Sequence, residues 1–170
     1  MRFLRPYRLA AGVALLALII LGARYERHAH RRLLHPGDAF TPISVATLNG
    51  SPATLSASGR PTLINVFATW CGPCRQETPA FCALAKHLEH RGVLVIGIDQ
   101  EEGANEVAGF AREFGITYPL YIDRSNVTHD VLGARMIPNT IFVDASGIIR
   151  WQHAGPLTAQ DLAQLARTAG

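Results

Sequence analysis

Cysteine is scarce in this chain: 170 residues contain three, Cys71, Cys74 and Cys82. A small odd number excludes a scaffold held by structural disulfides. There is no second CxxC and no HxxxH, and Cys82 added to the pair would give only three thiolates, so a four-ligand zinc site is not available. The chain also lacks internal repeats, low-complexity tracts and the length for a second sizeable domain. Basic charge is missing where it would matter for nucleic acid. The net charge is +3, but residues 1–32 hold seven Arg and one Glu, a local +6, which leaves −3 for everything that follows. With no basic face beyond the N-terminus, phosphate-backbone binding is excluded as a reading, and nucleic acid is not an expected partner.

What the N-terminus has instead is an uncharged run, Leu9 to Ala23, between Arg2, Arg5 and Arg8 on one side and Arg24, Arg27, Arg31 and Arg32 on the other. As a helix the run spans ~22 Å, and Tyr7 to Tyr25 spans ~28 Å, near the ~30 Å of a bilayer interior. Tyrosines at both interfaces and snorkelling arginines suit such a span. The residues after it make a poor small-x-small cleavage site. The expectation is a signal anchor (apolar 9–23) and tether over residues 1–35, with a cleaved signal peptide as the alternative. Basic residues balance across the run, so charge does not set its orientation. His28, His30 and His35 read as a solvated spacer.

From Pro36 the pattern changes to alternating strand-like and helix-like segments. Ile43–Leu48 and Ala53–Leu55 flank Asn49-Gly50 and read as a β-hairpin on a tight turn. Thr62–Phe67 (TLINVF) and Val93–Asp99 (VLVIGID) are apolar runs suited to buried strands. Between them, Cys74–His90 places Phe81, Leu84, Ala85 and Leu88 at helical spacing, stopped by Arg91-Gly92. Asn105–Phe114 is an amphipathic helix ended by Gly115. Pro119–Asp123 is a short strand and Val127–Leu132 a helical turn. Thr140–Asp144 and Ile148–His153 are strands joined by a turn, and Thr158 caps a last helix through Thr168. Alternation followed by a hairpin and a closing helix gives an α/β domain, residues 36–170, with a central mixed β-sheet and helices on both faces.

On their own, two cysteines separated by two residues are a redox pair or half a metal site. The surrounding residues narrow this. Asn65-Val66-Phe67-Ala68-Thr69-Trp70-Cys71-Gly72-Pro73-Cys74-Arg75-Gln76-Glu77-Thr78-Pro79 resembles the active site of thioredoxin-like proteins, in particular the membrane-tethered TlpA/ResA group and its DsbE (CcmG) relatives. Pro79, five residues after Cys74, matches the kink of that family's active-site helix. Ile137-Pro138-Asn139-Thr140 matches its cis-proline loop. Gly147-Ile148-Ile149-Arg150 with His153-Ala154-Gly155 resembles the penultimate strand of the DsbE relatives. The upstream hairpin agrees as well. The resemblance spans residues 36–168 and implies a thioredoxin-like fold with an added N-terminal β-hairpin.

It also implies chemistry, which the residues suit. Cys71 falls where a strand ends and a helix begins, so free N–H groups and the helix dipole favour its thiolate. Trp70 and the Ile137 backbone are the expected substrate contacts, with Pro138 shaping the latter. Cys74, one turn on, would resolve the mixed disulfide. It must lose a proton to do so, and a buried thiol resists that. Thioredoxin has a buried acid on the strand before the motif, but this chain has Asn65. Glu77, three residues after Cys74, is the proposed substitute, as in the ResA-like group; the alternative is a solvated glutamate that favours the helix dipole. Cys82 reads as a small core residue.

The expected activity is a membrane-tethered protein thiol–disulfide oxidoreductase, without cofactor or metal, on the outer side of a bacterial inner membrane. It would reduce disulfides of client proteins such as apocytochrome c and draw electrons from a membrane thiol relay of the DsbD or CcdA kind. A disulfide oxidase or isomerase of the same fold is the nearest rival. A copper chaperone would want CxxxC spacing and a distant histidine, for which His153 is the candidate. A peroxidase would want a lone peroxidatic cysteine in another loop context.

Overall fold

The computed structural model describes residues 34–57 and 59–168, together with Leu16. The chain divides into two units, Met1–Arg32 and Leu33–Gly170, and the fold is that of the second. Apart from Leu16, the expected anchor lies outside the described residues. Among those described, no helix is long and apolar enough to cross a membrane.

Seven strands form one mixed sheet: β1 (Ile43–Thr47), β2 (Pro52–Leu55), β3 (Thr62–Phe67), β4 (Leu94–Gln100), β5 (Leu120–Asp123), β6 (Asn139–Val143) and β7 (Ile149–Ala154), in the spatial order β2-β1-β5-β4-β3-β6-β7. The helices are α1 (Gly72–Glu89), α2 (Ala104–Phe114), the single turn α3 (Val127–Asp130) and α4 (Ala159–Thr168). β3, β4 and β5 run parallel; the β1–β2 hairpin and the β6–β7 pair are antiparallel additions at the two sides. The strand order explains the composition of β3: it sits between β4 and β6, and all six of its residues are buried.

Alternate residues of β3 feed two cores. Leu63 and Phe67 pack with Phe81, Leu84 and Leu88 of α1, Val107 and Phe110 of α2, and Leu165 of α4. Ile64 and Val66 point the other way, to a core with Phe40, Ile43, Ile98, Leu132 and Ile141. Three helices therefore share one face. The second is covered more lightly, by α3, the segment that follows it and the chain before β1.

The expected elements are present, with their ends shifted by a residue or two. The hairpin expected around Asn49-Gly50 is present. Its loop takes three residues, Leu48 to Gly50, with Gly50 alone left-handed (φ 84°) and its N–H bonding Thr47 O at 2.9 Å. The Asn49 side chain closes the loop by accepting from the Ser51 N–H. Thr158 caps α4 as expected: its hydroxyl accepts from Asp161 N–H at 3.2 Å, and Asp161 Oδ2 accepts from Thr158 N–H at 2.8 Å.

One turn favours glycine on both backbone and space. Gly147 lies between β6 and β7 at φ 82°, and a Cβ there would meet Ala57 O at 2.8 Å. Gly147→Ala should cost about 1–2 kcal/mol from the left-handed backbone alone. A lower urea midpoint at unchanged m-value would show it.

Candidate active site

The site begins where buried β3 stops. The chain leaves the sheet through Ala68, Thr69 and Trp70 and enters α1 at Cys71, the N-cap residue in extended backbone conformation. A helix start leaves its first N–H groups without carbonyl partners. One of them, Cys74 N–H, is accepted by Cys71 Sγ at 3.2 Å. Pro73 sits in the first turn, where a missing N–H costs nothing. The loop and cap thus aim the sulfur of Cys71 at the positive end of α1.

Cys71 and Cys74 are joined by a disulfide, with Cα atoms 5.2 Å apart. Both are buried, Cys71 with 4% and Cys74 with 1% of its surface exposed, whereas Trp70 beside them is 72% exposed. The Ile137–Pro138 bond is cis, and Ile137 O lies 3.9 Å from Cys71 Sγ. Four of the expected residues, Trp70, Cys71, Ile137 and Pro138, therefore meet at one place, although 66 residues separate the two halves. Met136, next to Ile137, is a further exposed apolar side chain.

Glu77 is not a solvated glutamate. It is 8% exposed, and both its oxygens are engaged. Asn65 Nδ2 donates to Oε1 at 3.1 Å, and the Leu157 N–H donates to Oε2 at 2.9 Å. Burial pushes the Glu77 carboxyl above its ordinary value; the two hydrogen bonds and nearby His153 oppose this in part. Asn65 has a definite position in this: Nδ2 also reaches Thr140 Oγ1 at 3.2 Å. Asn65, Thr140 and His153 are in register across β3, β6 and β7, so their side chains share the face that α1 covers. His153 stacks on Trp151 and lies 3.8 Å from Asp161. Cys82 is the one free thiol, half-buried against the α1-side core, and burial pushes its pKa up.

Two acids near the site were not singled out from sequence. Glu102 accepts from both the N–H and the hydroxyl of Thr69, two residues before Cys71. Asp99, at the end of β4, is fully buried. The signal for it was present: an acid inside the otherwise apolar run VLVIGID. The Leu157 N–H had no such signal, because a backbone donor 80 residues from its acceptor leaves no mark in a pattern.

Residues 36–152 match the AhpC/TSA family. Over 144 residues, 82% of this chain, it is 30% identical to the thioredoxin-like protein YneN of Bacillus subtilis, covering 84% of that protein. It is 26% identical to the thiol-disulfide oxidoreductase ResA of Geobacillus thermodenitrificans, across 94% of this chain and 95% of that one. Among solved structures, a thiol:disulfide interchange protein of the thioredoxin family from Chlorobium tepidum superimposes with a TM-score of 0.66 at 28% identity, covering 81% of this chain and 99% of its own. The similarity thus takes in the whole sheet and the loop that carries the cysteine pair.

Proposed function

We propose that this chain, which belongs to the AhpC/TSA family of thioredoxin-like proteins, is a thiol–disulfide oxidoreductase that reduces the disulfides of client proteins outside the cytosol. The observation that carries the reading is the placement of Cys71 Sγ. It caps α1, it already forms a disulfide with Cys74, and it lies 3.9 Å from the backbone carbonyl of Ile137.

In the reduced enzyme the Cys71 thiolate attacks one sulfur of a client disulfide. That S–S bond breaks, the client's other sulfur leaves and takes a proton, and a mixed disulfide links client to Cys71. An extended client segment lies along the Ile137 backbone against Trp70. Cys74 then gives its proton to Glu77 and attacks Cys71 Sγ. The second client thiolate departs and takes up the proton that Glu77 releases, and the Cys71–Cys74 disulfide remains. Two electrons and two protons have moved to the client. Two electrons from a membrane thiol relay of the DsbD or CcdA kind restore the dithiol.

The uncharged stretch 9–23, with arginines on both sides, supports a single-pass tether in the bacterial inner membrane, and residues 36–170 work on its outer face, where disulfides persist. Apocytochrome c, whose haem-site cysteines must be reduced before attachment, is the client this arrangement serves. Reduced full-length protein carrying Cys74→Ser, expressed in cells, should accumulate mixed disulfides through Cys71. These should be in the membrane fraction and include cytochrome haem-site peptides. Adducts confined to the soluble fraction would remove the tether, and adducts lacking such peptides would remove the client. A measured potential near the oxidising end of the superfamily, roughly −120 mV, would reverse the direction.

A further inference from the structure

Asp99, the last residue but one of β4, lies opposite Phe67 of β3, which is four residues before Cys71, and its side chain is sealed from solvent. Its Oδ1 accepts from the Glu102 N–H at 3.0 Å. Its Oδ2 is the one buried side-chain oxygen or nitrogen among the described residues with no hydrogen-bond partner. A buried carboxylate oxygen without a donor is costly, whereas a protonated oxygen becomes a donor itself. The polar neighbours of Asp99 are acids: Glu102 beside it and Glu106 in the first turn of α2. From α1 the charged group is Arg75. It donates to Thr69 O at 3.1 Å, lies over the Phe110 and Phe114 rings and pairs with Glu113. β3 and β5 present Phe67 and Ile122 to Asp99 across the sheet.

Thr69 is therefore gripped from two sides. Arg75 holds its carbonyl, and Glu102 holds its N–H and hydroxyl. A neutral acid behind Glu102 leaves that grip undisturbed, whereas a negative charge on buried Asp99 would repel the Glu102 carboxylate beside it. We propose that Asp99 in its protonated form is a positioning residue for Cys71: it lets the Glu102 carboxylate hold Thr69, and loss of its proton releases the loop that carries the reactive thiol. Burial, with Glu102 and Glu106 beside it, raises the Asp99 carboxyl to about 8, so the neutral form is the one present at neutral pH. The inference rests on Cys71 being the attacking thiol.

The test follows alkylation of the reduced full-length protein by iodoacetamide, read at Cys71 by mass spectrometry, from about pH 6 to about pH 10. The wild type should show two steps. The first is the ionisation of Cys71. The second, near pH 8, changes the rate per thiolate by about threefold to tenfold, the effect of one lost hydrogen bond. Asp99→Asn keeps the Oδ1 acceptor and places a permanent donor where the proton sat, and it should leave only the first step. A second step that survives in Asp99→Asn overturns the proposal, as does a single step in the wild type. Infrared titration of the wild type gives an answer free of any variant. A protonated carboxyl band should be present at neutral pH and vanish on the same midpoint, and its absence at neutral pH also overturns the proposal. If Cys71 alkylates no faster than Cys74, the assignment of the attacking thiol fails instead.

Discussion

Cys71→Ser will reduce turnover of a protein disulfide by at least about a thousandfold, to background, while leaving the fold intact. The two halves of this expectation come from one geometry. Cys71 Sγ accepts the Cys74 N–H at the start of α1, and serine is among the preferred residues at that position, so the cap survives the exchange. The nucleophile does not survive, because a serine hydroxyl is not ionised at neutral pH and cannot form the mixed disulfide. Insulin reduction gives the rate, and denaturant unfolding of both proteins in reduced form gives the control. Cys74→Ser should behave differently, keeping the first attack and losing release. Substantial turnover by Cys71→Ser would mean that Cys74 attacks first, against the burial of its sulfur.

Glu77→Gln should slow the resolving step by about a hundredfold and leave Cys71 alkylation nearly unchanged. Glutamine preserves volume and one acceptor oxygen but cannot take a proton. The pH dependence distinguishes this from a packing defect. Burial holds the Glu77 carboxyl above its ordinary value, and the base is the ionised form. In the wild type the resolving rate should therefore fall as pH drops through that raised pKa. In Glu77→Gln that limb should disappear, leaving a uniformly slow step that climbs only with hydroxide. Single-turnover kinetics starting from a preformed Cys71 mixed disulfide would measure it. Equal rates in the two proteins would remove Glu77 from the mechanism.

Local features of this fold were readable because they are local. TLINVF and VLVIGID announce buried strands by composition, and Thr158 announces the start of α4 by its side-chain chemistry. The sheet order was less readable. β1 joins β5, more than 70 residues away, through only the pairs Ala46–Ile122 and Thr47–Tyr121. Nothing in either segment names the other, since period-two patterning says which face is buried and not which strand is adjacent. The site divides along the same line. The cysteine pair, Trp70 and Glu77 lie within eight residues and could be read together. Pro138 came through resemblance. Asp99 carried a signal, an acid closing an apolar run, but its burial between β3 and β5 depends on strand neighbours the run does not name, and Glu102 is a loop acid whose bond to Thr69 joins segments 33 residues apart.

The nearly complete burial of both cysteines has a consequence for what this enzyme can choose between. A folded protein offers its disulfide on a rigid surface, and a rigid surface is poorly suited to reach a cysteine of which 4% is exposed, beside Trp70 and the Ile137 carbonyl. A slack, single-stranded stretch can. The recess therefore sorts clients by how far they have folded before it sorts them by sequence. Compact proteins would meet the recess poorly, and loosely folded chains would meet it readily.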